Sequence, residues 1–294
     1  CFSHWVRFCS GSTSSEHPLE SQLHGARTEV MEQFLWASDA FYGSLDIAAL
    51  NLCCALGLPG AEYLNLDLFR ERLDDTARHV RLETERHYYR FLDDPSDYEN
   101  SQGYFCVLML ITVLQHDCGV RYNPARIRDP RFQDPDCFDP DFSDSRDLFI
   151  HGILDGPGGT CASMPVLTVA VGRRLGYPLK LIEAPGHLFA RWHDPKGRFN
   201  GVPDRFNIDC SGRGFACYPD EHYKKWPRAW NKHEEECSQY LKSLSPREEI
   251  AYFLATRGHC LWDNGLLGDA IRAYRVATIF APDDPRYDWQ LCDA

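Results

Sequence analysis

The chain has 294 residues, of which 44% are hydrophobic and 25% charged, and its formal net charge is −12. That length can bury a substantial core, and the composition is that of an ordinary globular chain. The acidic balance argues against nucleic acid as the main partner, because a phosphate-binding face needs clustered Lys and Arg.

Residues 1–30 are rich in Ser and His and lack an apolar h-region, so they match a signal peptide poorly. They read as an N-terminal extension and a candidate for disorder, with Met31 a candidate natural start. Thr28 to Tyr42 is expected to be a helix, with Val30, Phe34, Ala37 and Phe41 on one face. Ser44 or Asp46 is placed to cap the next helix, which carries Ala48, Ala49, Leu50, Leu52 and Leu56 and ends near Gly57 and Pro59. Leu66 to Tyr89 is long, charged and amphipathic, with Phe69, Leu73, Ala77, Val80 and Leu82 as its stripe.

Asp93 to Gln102 reads as a polar loop and Tyr104 to Leu114 as a buried helix. That apolar run is too short to span a bilayer, so no membrane span is expected. His116-Asp117-Cys118 is a helix end closing on Gly119 and not a metal site, since adjacent residues seldom converge on one ion. Residues 123–147 form an Asp/Pro-rich connection. None of its acidic runs has the glycine that a calcium-binding EF-hand loop needs at its sixth position. It is expected to be a solvated loop, and its place in the chain suits one wall of a substrate cleft.

Leu154-Asp155-Gly156-Pro157-Gly158-Gly159-Thr160-Cys161 then delivers one cysteine to an apolar segment. Leu167, Val171 and Leu175 recur at helical spacing before Gly176, and Pro165 is tolerated only near a helix start. The spacing predicts a buried helix beginning around residues 160–163, with Cys161 in or beside its first turn. Free N–H groups and the helix dipole favour a thiolate there. Downstream, Pro185-Gly186-His187 turns into one strand, and Arg205 to Cys210 alternates like another. The order Cys161, His187, Asp209 supplies a nucleophile, a base and a group to orient the base. Asn207 shares the strand face of Asp209 and is an alternative orienting group. His151 is a candidate auxiliary, with a structural role as the competing reading.

Tyr223, Trp226 and Trp230 lie on polar ground over residues 216–231, where they either floor a groove or pack the C-terminal segment. The second is favoured, because clustered aromatics usually mean burial. Ser245-Pro246 opens a helix with Glu248 and Glu249 in its first turn. Leu254, Gly258, Leu261, Gly265, Ala270, Tyr274, Ala277 and Pro282 fall at the spacings of one tetratricopeptide repeat, with Gly258 and Ala270 small where two helices would cross. One repeat cannot bury its own face, so it should dock on the main domain or on a protein partner.

The 13 cysteines are scattered, only Cys53 and Cys54 are adjacent, and no Cys-x-x-Cys pair occurs. A disulfide framework and a zinc ribbon are both poorly supported, which leaves buried thiols in a reducing, cytoplasmic compartment.

The Gly-Thr-Cys and Pro-Gly-His pieces, with Ser44 to Leu50, Leu73 to Ala77 and Gly119 to Pro124 upstream, resemble the transglutaminase-like superfamily of papain-type folds, in its bacterial SirB-like branch. The resemblance implies an α+β fold. A helical N-terminal part and a central helix bearing the cysteine would pack against an antiparallel sheet, with a C-terminal helical hairpin added. The expected division is an extension over 1–30, the transglutaminase-like domain over 31–245 and the hairpin over 246–294. The implied chemistry is acyl transfer on a peptide or carboxamide through Cys161, His187 and Asp209, by a peptidase, amidase or transglutaminase-like enzyme needing neither metal nor cofactor. A scaffold that binds peptide or protein through the same cleft and the repeat is the alternative. Zinc held by Cys161, His187 and Asp209 has little support, since no local ligand pair anchors such a site.

Overall fold

The computed structural model describes residues 37–127, 141–237 and 239–293. The N-terminal extension, the first part of the helix expected over 28–42 and the middle of the Asp/Pro-rich connection lie outside these residues.

The chain opens with α1 (Asp39–Gly43) and α2 (Ile47–Ala55). Asp46 caps α2 by accepting the Ala48 N–H at 2.8 Å, and every residue of α2 is buried. The amphipathic α3 (Leu66–Asp93) buries Phe69, Leu73, Ala77, Val80 and Thr84. Leu82, expected in that stripe, is exposed instead, because Thr84 falls on the inward face four residues after Val80. After a 3₁₀ turn at Pro95–Tyr98, α4 (Gln102–Thr112) runs on as a π-helical segment, Val113–Asp117, which Gly119 closes at φ +70°. The polar loop expected over 93–102 thus contains a helical turn.

Two short helices, α5 (Ser145–Leu148) and α6 (His151–Leu154), lead to the glycine-rich turn and to α7 (Met164–Arg174). Residues Met164 to Gly172 of α7 are all buried. Helices α2, α3 and α4 cover one side of α7, and a sheet covers the other. The sheet is antiparallel in the order β1 (Leu179–Ala184), β2 (His187–Asp194), β3 (Asp204–Ile208). The sequence reading identifies β2 and β3 but not β1. Ile182 is buried beside Leu181, which breaks the alternation that marks a half-buried strand. Leu244 N–H donates to Leu181 O and Leu241 N–H to Glu183 O, so residues 241–244 run along the outer edge of β1.

Beyond α8 (Asp220–Tyr223) and α9 (Lys232–Glu236), the chain ends in α10 (Pro246–Asp263), α11 (Leu267–Phe280) and α12 (Pro285–Asp293). Ser245 and Glu248 form a reciprocal capping box at the start of α10. The α10–α11 hairpin shares the main core and is tied to it by charge. Arg173 of α7 makes a bidentate pair with Glu249, and Arg257 donates to the carbonyls of Cys54 and Leu56. The helices cross at Gly258, where an added Cβ would lie 2.4 Å from a ring carbon of Tyr274. Gly258→Val is therefore expected to lower stability by about 2–3 kcal/mol through overpacking, measured as a shift in denaturant midpoint.

Candidate active site

Cys161 sits at the mouth of α7 because a chain of local bonds holds it there. Gly158 and Gly159 pair with residues 121–123: Gly159 N–H donates to Arg121 O, and Asn123 N–H donates to Gly159 O. Gly158 has φ +131°, and a Cβ there would stand 2.7 Å from Arg121 O, so only glycine fits this close approach. Thr160 donates its hydroxyl to Asp147 O at 2.6 Å and accepts the Ala162 N–H at 3.2 Å. Ser163 and Met164 N–H both donate to Thr160 O. Cys161 thus occupies a hydrogen-bonded turn just before α7, which begins at Met164 with Pro165 in its first turn. The helix starts slightly later than expected because the Thr160 turn takes up the bonds of a first helical turn. The Cys161 N–H is not used by any of these bonds.

His187 is the first residue of β2 and Asp209 directly follows β3. The antiparallel register aligns Arg191 with Asn207, which brings the two side chains together on one face. His187 Nε2 and Asp209 Oδ2 lie 3.0 Å apart, and both residues are buried. Ser211 N–H donates to the other carboxylate oxygen at 3.0 Å. Burial works against a charged imidazole. The hydrogen bond to Asp209, with the bonding and charge of Cys161, outweighs it and raises the His187 pKa to about 9. Burial likewise opposes the Asp209 carboxylate, but the bond and charge of His187 hold its pKa below the usual range. With Nε2 engaged by Asp209, Nδ1 is the ring nitrogen left for the Cys161 thiol.

Asn207 and His151 are placed elsewhere. Asn207 accepts from Arg191 Nε at 2.6 Å and donates to Tyr218 O and Asp220, so it organises a polar cluster beside the sheet and not the imidazole. His151 is buried against Phe149, with Nε2 3.2 Å from Ser145 Oγ, and burial lowers its pKa to about 4. It braces the approach to the glycine-rich turn.

Two aromatic residues beside His187 were not assigned to the site from sequence. Tyr223 is fully buried, stacked on Phe189 at 3.8 Å and parallel to the His187 ring at 5.9 Å. Trp226 meets the imidazole edge-on at 4.6 Å and remains 41% exposed. Tyr223 and Trp230 follow the packing reading, Trp230 against Tyr240 with its indole N–H donated to Tyr223 O, and Trp226 is the one of the three that stays exposed. No local pattern marks Trp226, since its contact is made across the sheet.

A model of the transglutaminase-like superfamily matches residues 68–254, well over half of the chain and the whole of this site. The chain belongs to the transglutaminase-like superfamily. The superfamily match runs from α3 into α10, so the hairpin's first helix continues the transglutaminase-like region. A segment of 75 residues is 32% identical to F-box only protein 21 of Mus musculus and 31% identical to that of Homo sapiens. That segment is 25% of this chain and 12% of each relative, so this transglutaminase-like chain spans only a small part of those proteins. No solved structure matches. Among the described residues, no cluster of three or more His, Cys, Asp or Glu side chains could hold a metal ion, and no helix is long and apolar enough to cross a membrane.

Proposed function

We propose that the chain is a cysteine-dependent acyl-transfer enzyme acting on a peptide or carboxamide substrate through Cys161, His187 and Asp209. The observation that carries this reading is the buried His187–Asp209 bond at 3.0 Å with the Cys161 thiol close enough to the same imidazole to raise its pKa. A thiolate–imidazolium pair is the resting form of a nucleophilic cysteine.

The Cys161 sulfur attacks the carbonyl carbon, and the carbonyl electron pair moves to oxygen. The Cys161 N–H faces that oxyanion as one donor. Collapse expels the amine, which takes its proton from His187, and leaves a thioester. Water or a second amine, deprotonated by His187, then attacks the thioester and frees the thiolate. Water completes hydrolysis; an amine completes transfer. Asp209 keeps the ring oriented and stabilises its charged form.

A non-catalytic peptide- or protein-binding scaffold is the second reading. It is favoured by the relatives' printed names, which carry an F-box and no enzymatic term.

The two readings part at Cys161. We expect its alkylation by iodoacetamide, followed by peptide mass spectrometry, to proceed well below the free-cysteine pKa of about 8.5 and to slow by about 10–100-fold at neutral pH in His187→Ala. A Cys161 that titrates like a free thiol and ignores His187 would leave the scaffold reading standing.

A further inference from the structure

The rings beside His187 do not end at Trp226. His222 lies 5.6 Å from Trp226, and Tyr218 stacks on His222 at 4.1 Å with the planes 14° apart. Tyr218 and Trp226 are each 41% exposed, and His222 is half-buried between them. Large aromatics elsewhere on this face, Phe189 and Tyr223, are buried. The row is therefore a ledge of accessible rings, held by what lies beneath it. The Tyr218 carbonyl accepts from Asn207, Asp220 of α8 is bound by Arg191, Arg205 and Asn207, and Tyr223 anchors the helix to Phe189. At its far end Tyr218 lines a cavity of about 390 Å³, together with Arg205 and Asp220.

We propose that Tyr218, His222 and Trp226 form the substrate track of this enzyme, on which an extended peptide lies with an aromatic side chain seated three to four residues from the reacting carbonyl. The inference rests on the acyl-transfer reading of Cys161. Its occupant follows from continuity and from reach. One end of the row touches the imidazole that serves the nucleophile, so a chain bound at Cys161 must leave across it or away from it. Tyr218 lies 6.4 Å from Tyr223, which lies 5.9 Å from His187, so the far end of the row is at most about 12 Å from the imidazole, a reach of up to three to four residues of extended chain at 3.3–3.6 Å each. Exposed aromatic faces gain most from another planar ring, which stacks at little entropic cost. The sheet supplies a rigid base, which is what lets three separate side chains read one bound peptide.

The test uses chloroacetyl-Gly-Gly-Phe amide and its all-glycine counterpart. In both, the Cys161 thiolate forms an S–C bond and displaces chloride, so the two reagents differ only in the ring they carry. The readout is the ratio of their labelling rates at Cys161 within one protein at pH 8.5, which cancels any change in the thiol itself. In the full chain the phenylalanine reagent is expected to label about tenfold faster. The ratio is expected to fall to near one in Tyr218→Ala combined with His222→Ala, and to stay unchanged in Tyr89→Ala, an exposed ring on α3. A ratio near one in the unaltered chain, or one that survives the double substitution, overturns the track. Iodoacetamide labelling with and without His187 tests the acyl-transfer reading on its own, so the two fail separately.

Discussion

Asp209→Asn is expected to slow Cys161 acylation by about 10²–10⁴-fold while leaving the fold intact. The substitution keeps the shape of the side chain but removes the charge that helps raise the His187 pKa to about 9. An amide oxygen can still accept the Nε2–H and orient the ring, so what is lost is the charge that favours the imidazolium. Where an activity assay exists, the alkaline limb of kcat/KM is expected near pH 9 in the unaltered enzyme, because the reactive form loses its imidazolium proton there. In Asp209→Asn that limb should move down by about one pH unit or more. Stability gives an independent reading with a definite sign. The folded pKa of His187 is raised above the unfolded value of about 6.5. Its contribution is fully present below that value and is lost as pH rises through about 9. Asp209 is shifted the other way, so its share is lost at the acid end, as pH falls through its folded pKa. Thermal unfolding between pH 6 and pH 10 should therefore show a decline that is smaller in Asp209→Asn. An unchanged rate and an unchanged profile would remove Asp209 from the mechanism.

Gly152→Ala is expected to destabilise the chain by more than about 3 kcal/mol, at the upper end of overpacking costs. An added Cβ would lie 1.7 Å from Arg146 O and 2.5 Å from its carbonyl carbon, both backbone atoms that cannot swing aside. The damage would reach the nucleophile, because Gly152 O accepts the Gly158 N–H in the turn that presents Cys161. Denaturant midpoint and iodoacetamide labelling should fall together. Gly268→Ala is the comparison: a Cβ there meets nothing within 4 Å inside α11, so the change should be neutral or stabilise by up to about 1 kcal/mol. Equal midpoints for the two variants would refute the argument.

Much of this arrangement was legible in the chain because it is local. The glycines before Cys161, the proline that fixes a helix start and the Ser245-Pro246 opening of α10 each act within a few residues, and each helix formed at its signal or within a few residues of it. The juxtaposition of His187 and Asp209 needed only two adjacent strands. What the sequence withheld is set by packing at a distance. Strand β1 is buried on both faces beside Ile182 and loses the alternating signature. Thr84 replaces Leu82 in the stripe of α3 because helix phase, not hydrophobicity, decides the inward face. Trp226 reaches His187 only because α8 is pinned across the sheet by Arg191 and Asn207, contacts that no spacing encodes. Helix α12 did carry a signal, Asp284 before Pro285, the pairing of a helix cap with a first-turn proline. Its role does not show in sequence: Arg286 reaches Glu183 of β1 at 2.8 Å and locks the C-terminus to the sheet.

Residues 241–244, which bond to Glu183 and Leu181, have a consequence for how this molecule behaves in company. A bare β1 would present a row of unpaired N–H and C=O groups, the template on which strands of other chains add and from which aggregates grow. Here that template is already filled from within the same polypeptide. Recruitment of a partner by strand addition at β1 would first require peeling residues 241–244 away, so this edge of the sheet is closed to other chains while that segment stays in place.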